Sequence, residues 1–189
     1  MQKIILGLIC LVSMITAVAQ DVKQKEIKLG TIVRMDINTQ GQTYPLTVTV
    51  SSISADELIF SYEFIEGITG KFINGKGNME KGLRFNWDQP VAGEERKVPD
   101  EQTLLMISRT ALKDLKTNKK CSFNDQAIVL KDLPAGQELT VGGTQVDVIY
   151  AESEDGNTKY WILNNDAYPL LMKLNGNPGG IDIDVTSFK

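Results

Sequence analysis

Apolar and polar residues alternate along most of the chain, a pattern typical of β-strands that bury one face. Three such runs occupy residues 27–37, 44–50 and 58–64, with polar turns between them. A fourth strand is predicted over residues 70–78 and a fifth over residues 83–87. This half therefore predicts an antiparallel meander, which bends most easily at the glycines of the fourth strand.

Alternation returns in the C-terminal part of the chain. Gly142-Gly143 predicts a hairpin turn, and the alternation slips at Ser187 and Phe188, which indicates either a frayed end or a β-bulge. The predicted strands occupy residues 127–130, 137–141, 144–152, 158–163, 170–174 and 181–185.

One segment, residues 100–117, has a helical period instead. Leu104, Ala111, Leu112 and Leu115 recur at helical spacing, and Asp100 is the predicted N-terminal cap. Long antiparallel sheets twist and curl, and a helix can cover the resulting concave face. The sequence therefore predicts a mainly β (α+β) fold, a curved antiparallel sheet or half-barrel with one covering helix at about residues 100–117.

Residues 1–19 have the pattern of a cleaved signal peptide. Lys3 precedes an apolar stretch that ends in Ala17-Val18-Ala19. That stretch is shorter than the ~20 residues of a transmembrane helix. Cys10 lies inside it, and Gln20 follows the expected cut where a lipoprotein would have cysteine. We therefore expect an exported, unlipidated protein whose residues 20–189 form a single β-rich domain.

Charge and cysteine content narrow the classes of partner. Removing residues 1–19 changes the net charge from −4 to −5, which argues against a nucleic-acid partner because phosphates require a basic surface. Cys121 is then the one remaining thiol, so no internal disulfide can form. We expect it to be a packing residue; the alternatives are intermolecular pairing or a reactive thiol activated by Lys119 and Lys120.

The chain contains no histidine. This removes the usual Ser-His-Asp and Cys-His nucleophilic arrangements and the common zinc and copper ligand sets. The sequence thus predicts a protein that is not an enzyme and has no catalytic residue, cofactor or metal site. A hydrolase that uses carboxylates alone is the remaining enzymatic alternative, although no spacing selects a pair, and Asp182 and Asp184 are expected to face solvent.

Several motifs resemble ligand sites without their chemistry. Residues 70–77 approach the phosphate-loop pattern, but Gly77 stands where a serine or threonine is needed, and no helix is predicted to begin there. Two oxygen-rich clusters lack the spacing of a calcium loop and are expected to be turns. They comprise Glu152, Glu154 and Asp155 in the first, and Asn164, Asn165 and Asp166 in the second.

Four aromatic residues could stack on sugars, although packing is the expected role of each. They are Trp87, Tyr160, Trp161 and Tyr168.

The C-terminal third carries a resemblance to a known group. Its order is a glycine-turn hairpin at 139–148, Asp155-Gly156, the strand Lys159-Tyr160-Trp161-Ile162-Leu163, then Tyr168-Pro169 and an apolar strand. This resembles uncharacterised periplasmic proteins related to the lipoprotein carrier and receptor (Lol-like) half-barrels of Gram-negative bacteria. The resemblance implies a curved sheet around a helix, a mouth lined with apolar residues for acyl chains, and a periplasmic or extracellular location. It transfers no catalytic residue.

Two non-enzymatic functions compete as interpretations of this sequence. The first is a binding protein that holds a hydrophobic or lipid-like small molecule between sheet and helix. Its candidate apolar face is Leu46, Val48, Val50, Phe60, Tyr62, Phe64 and Leu112. The second is an envelope interaction protein in which those side chains fill the core and a sheet edge docks a protein partner.

Overall fold

The computed structural model describes residues 25–65 and 67–189; the predicted signal peptide and the cleavage site before Gln20 lie outside this part. The N-terminal strands are β1 (Ile32–Thr39), β2 (Gln42–Ile53), β3 (Glu57–Phe64), β4 (Ile68–Gly75), β5 (Arg84–Phe85), β6 (Glu95–Lys97) and β7 (Gln102–Thr103). The C-terminal strands are β8 (Lys120–Phe123), β9 (Gln126–Leu130), β10 (Thr140–Val141), β11 (Thr144–Gln145), β12 (Val148–Ser153), β13 (Lys159–Leu163), β14 (Leu171–Asn175) and β15 (Ile181–Phe188).

Eleven of these strands form one sheet in the order β6-β4-β3-β2-β1-β15-β14-β13-β12-β9-β8. All neighbours are antiparallel except β4 and β6, which run parallel. The sheet is curved and does not close into a barrel. The predicted mainly β architecture is therefore confirmed, and β1 and β15 join the two halves at its centre.

The slip in alternation at the C-terminal end of the chain is a β-bulge. Arg34 pairs with Ser187 and Met35 with Val185, so Thr186 is the extra residue. The bulge lets both Val185 and Phe188 point into the core, where each is buried.

Two helices, α1 (Lys76–Lys81) and α2 (Arg109–Asn118), accompany the sheet in the described part. Neither helix is long and apolar enough to cross a membrane. Ala111, Leu112 and Leu115 of α2 are buried, and this helix packs against β8, β9 and α1.

The predicted helix over residues 100–117 is wrong in its first half. Ser108, not Asp100, is the N-cap, and its hydroxyl accepts a hydrogen bond from the amide of Ala111. The preceding residues are extended: β7 pairs with β5, and Ile107 donates its amide to the carbonyl of Pro169. Those sheet-like hydrogen bonds replace the intrahelical ones, and Leu105 has a positive φ of 63° that no helix accommodates.

The predicted fourth strand is also too long, because it ends at Gly75 and α1 begins at Lys76. The expectation that no helix begins in this phosphate-loop-like stretch is therefore wrong. A bound phosphate is still disfavoured in this stretch because of its electrostatics. The carboxylate of Asp100 lies so close to Gly77 that a side chain at Gly77 would overlap it. An anion at this point would face that negative charge.

Cys121 lies in the core with 7% of its surface exposed. Burial, and secondarily the charge of Asp114, raise the pKa of its thiol to about 12. The two lysines considered as activators bond elsewhere, Lys120 to Glu154 and Lys119 to the carbonyl of Lys116. The structure thus agrees with a packing role.

We expect Cys121 to resist alkylation by iodoacetamide in the folded protein and to react readily in urea. Because its pKa is raised, the thiol remains protonated at every pH below about 12 in the folded state, and the thiolate is the nucleophile. Mass spectrometry of both samples measures the difference. Equal labelling would show that Cys121 is accessible.

Candidate ligand cavity

A cavity of about 310 Å³ lies at one end of the inner face of the sheet. The sheet lines one side of it with Ile37, Tyr44, Leu46, Phe64, Ile181 and Ile183. The opposite side comes from the connections around β5 and β7, which contribute Phe85, Trp87, Pro90, Leu104 and Leu105. Asp88 and Gln89 line the cavity and are exposed, so they mark its mouth.

Strand register explains why the sheet side is apolar. Ile37 lies opposite Ile183 on one neighbouring strand and opposite Tyr44 on the other. Leu46 lies opposite Phe64 in the same way. Directly opposed residues share a face of the sheet, so four adjacent strands present one continuous apolar surface here.

The outer side of the cavity is a segment of irregular backbone, residues 86–91, which we call the wall loop. Arg96 fixes it: its guanidinium donates to the carbonyl of Asp88 at 2.7 Å and to that of Gln89 at 2.8 Å. The same guanidinium pairs with Glu94 at 2.6 Å and lies over the ring of Phe72. Arginine suits this position because its fork of donors is rigid and planar.

Three further contacts hold the two ends of the wall loop. The Tyr62 hydroxyl donates to the carbonyl of Val91 at 2.6 Å. At the other end, the amide of Asn86 donates to the carbonyl of Thr103 at 2.7 Å, and its side chain to Gln102 at 2.7 Å. With Arg96 in the middle, the loop is tied along its length, and the cavity is preformed.

Gly70 is needed for this arrangement. A Cβ at this position would overlap both the hydroxyl of Tyr62 and the carbonyl of Glu94. The absence of a side chain lets the segment that carries Arg96 approach β4, where Lys71 donates its amide to the carbonyl of Glu94 at 2.7 Å. Close backbone approach is thus what this strand glycine provides.

The structure divides the predicted apolar face into two groups. All seven residues are buried, but Leu46 and Phe64 alone among them line the cavity. The other five, deeper in the core, are Val48, Val50, Phe60, Tyr62 and Leu112. No residue of α2 lines the cavity, because the covering side is the wall loop and residues 104–105.

Of the four aromatic stacking candidates, Trp87 reaches the cavity, where its ring lies edge-on to Phe85 at 5.0 Å. Tyr160 is fully buried. Trp161 packs on Tyr150 and donates to the carbonyl of Gln137, and the Tyr168 hydroxyl donates to the carbonyl of Ser54. These three residues have packing roles.

The first oxygen-rich cluster does not converge on a common point. Glu152 accepts from the Tyr150 hydroxyl, Glu154 pairs with Lys120, and Asp155 accepts from Ser153 and Asn157.

The second oxygen-rich cluster also forms local contacts. Asn164 donates to Asp147, Asn165 accepts two turn amides, and Asp166 pairs with Lys116. Across residues 25–65 and 67–189, no three acidic or cysteine side chains are grouped to hold a metal ion.

Asp182 and Asp184, the predicted solvated pair, are each half-buried and have separate partners. Asp182 accepts the amide of Gly176 at 2.8 Å, and Asp184 pairs with Lys173 at 3.0 Å. Tyr150, Tyr160 and Cys121 are predominantly neutral at pH 7 even at their ordinary pKa values, and burial raises the pKa of each further, so none of them can act as a general base there. None of these groups lines the cavity.

Sequence reasoning missed the roles of Arg96, Leu105 and the wall loop at the cavity. Arg96 stands in a polar, proline-bounded stretch whose composition indicates only a loop. Leu105 falls within the predicted helix, whereas in the structure its positive φ turns the chain at the cavity. The strongest sequence signal for a cavity at this position was Trp87, an aromatic residue directly before a polar loop.

Comparison with family models, with curated proteins and with solved structures finds no match to this chain.

Proposed function

We propose that this is an exported, non-enzymatic binding protein that holds a hydrophobic small molecule in the cavity between the sheet and the wall loop. The cavity itself carries the proposal. Its volume of about 310 Å³ falls at the lower end of the ~300–1,000 Å³ of small-molecule sites, and its walls are mainly aliphatic and aromatic. Export to the periplasm or beyond is part of this proposal and depends on residues 1–19.

The energetics favour such a ligand. Apolar area removed from water stabilises a complex by ~25 cal/mol per Å² before the costs of association. A preformed site avoids the cost of ordering a loop on binding. The contacts of Arg96, Tyr62 and Asn86 therefore favour affinity even though none of them needs to touch the ligand.

A relationship to the Lol-like half-barrels is also part of the proposal. The curved open sheet with a helix packed on it supports this relationship. In this chain the candidate site lies beside the wall loop, and α2 fills the neighbouring part of the inner face with Leu112 and Leu115.

The second candidate function is the docking of an envelope protein. The observation that favours it is the open sheet, in which β6 and β8 each have a single neighbour. Unpaired strand edges accept an added strand from a partner.

The two tryptophans allow a direct test, because Trp87 lines the cavity and Trp161 does not. We expect a brominated medium-chain alcohol to quench Trp87 saturably, since bromine quenches indole fluorescence at contact. The matched variants are Trp161→Phe, which retains Trp87 as the reporter, and Trp87→Phe, which retains Trp161. Titration of both should give saturable quenching in the first variant alone.

Quenching of both tryptophans to the same degree would indicate non-specific association. Absence of quenching at Trp87, in a variant that unfolds like the wild type, would overturn the proposal and favour the docking function.

A variant that fills the cavity is best placed at Ile37 or Ile183. A larger side chain at Val48 would not fill the cavity, because Val48 does not line it and would overpack the core instead.

A further inference from the structure

We infer that the cavity selects a medium-length apolar chain whose head is a neutral or cationic hydrogen-bond donor, and that it rejects long-chain fatty acids. This inference rests on the proposed function and adds the ligand class. It follows from two observations, the volume of the cavity and the chemistry of its mouth.

Volume limits the length of the chain. If one methylene occupies the ~30 Å³ of a liquid water molecule, a cavity of about 310 Å³ accommodates on the order of ten carbon atoms. A long-chain acyl group would leave the rest of its length in water. Affinity should therefore stop rising once the cavity is full.

The mouth carries a negative charge. Asp88 is the one charged residue in the lining, and no lysine or arginine of the described chain contributes to it. Its carboxylate accepts one hydrogen bond, from the side chain of Asn86 at 2.9 Å, and lies in an exposed position that a ligand donor can reach.

The guanidinium that fixes the wall loop and the side-chain amide of Asn86 are already engaged. The guanidinium of Arg96 donates hydrogen bonds to the carbonyls of Asp88 and Gln89 and to the carboxylate of Glu94. Both hydrogens of the Asn86 amide are directed at Asp88 and Gln102. A ligand carboxylate would therefore meet the charge of Asp88 without a cation to offset it, whereas an alcohol or ammonium group can donate to Asp88.

The first arm of the test is a chain-length series. Alcohols from hexanol to hexadecanol compete with the brominated alcohol for the Trp161→Phe variant. Affinity should rise about fourfold per methylene, then level off near decanol. A continued rise to hexadecanol would overturn the length limit.

The second arm compares heads of equal chain length, using decylamine, decanol and decanoate at low ionic strength. Decylamine should bind on the order of fivefold tighter than decanoate, a gap that added salt narrows, as for exposed charge pairs. Asp88→Asn should remove most of that gap and should weaken decanol less than it weakens decylamine, because the amide oxygen can still accept from the alcohol but no longer attracts the ammonium charge. Tighter binding of decanoate, or a gap that survives in Asp88→Asn, would overturn the head-group inference.

The two proposals fail in different ways. If decanoate and hexadecanol compete best, the cavity binds ligands but the assigned class is wrong. If the brominated alcohol does not quench Trp87, the proposed function itself is wrong.

Discussion

Replacing Leu112 by aspartate should lower the free energy of unfolding by about 4 kcal/mol or more. Leu112 is 1% exposed on the buried face of α2. The substitution removes apolar packing worth ~2–5 kcal/mol and places a carboxylate where burial disfavours it. Urea denaturation, with the midpoint and slope measured separately, gives the change in stability.

Thr110→Asp is the matched control, because it adds the same charge to the same helix at an exposed position. Its effect should remain within about 0.5 kcal/mol, as for most surface substitutions. If Leu112→Asp unfolds at the same urea concentration as the wild type, α2 does not pack through this residue.

Replacing Arg96 by alanine should lower the free energy of unfolding by about 2–3 kcal/mol and weaken binding in the cavity. The change removes two charge-assisted hydrogen bonds to the wall loop and leaves the half-buried Glu94 without its partner. Hydrogen exchange should show faster exchange of the backbone amides of Asn86 and Glu94, which donate to the carbonyls of Thr103 and Val91 around the two ends of the wall loop. The quenching titration at Trp87 should show lower affinity.

Arg96→Lys separates charge from geometry. Lysine keeps a cation beside Glu94, but a single ammonium cannot reproduce the fork that reaches the carbonyls of Asp88 and Gln89. We expect lysine to restore part of the stability and little of the protection of the loop. Unchanged exchange of the Asn86 and Glu94 amides in Arg96→Ala would mean that other contacts fix the wall loop.

Alternation predicted the sheet well because each strand buries one face. Leu46, Val48 and Val50 lie opposite Phe64, Tyr62 and Phe60, so the six side chains predicted to share a face do so. The start of the helix was harder to predict. Leu104 and Ile107 match helical spacing by coincidence, but they lie in extended backbone and bury their side chains from there. An isolated bridge between Met106 and Leu170, distant in sequence, fixes that segment.

Part of the candidate site could also be predicted from the alternation of apolar and polar residues. Leu46 and Phe64 belong to a periodic pattern, so their burial on the inner face could be read from the sequence. Whether a cavity remains on that inner face depends on which segments pack against it. In this protein those segments are irregular loops. The three-residue strand β6, which positions Arg96 beside Phe72, has no period to detect.

The pairing of β1 with β15 has a consequence for how the chain folds. Strands β1 to β4 form a local meander, as do β12 to β15, but the ladder between β1 and β15 joins residues from opposite ends of the described chain. Closing so large a loop has an entropic cost that must be met before the contacts form. We therefore expect each meander to nucleate by itself, and the central ladder to form last and to limit the folding rate.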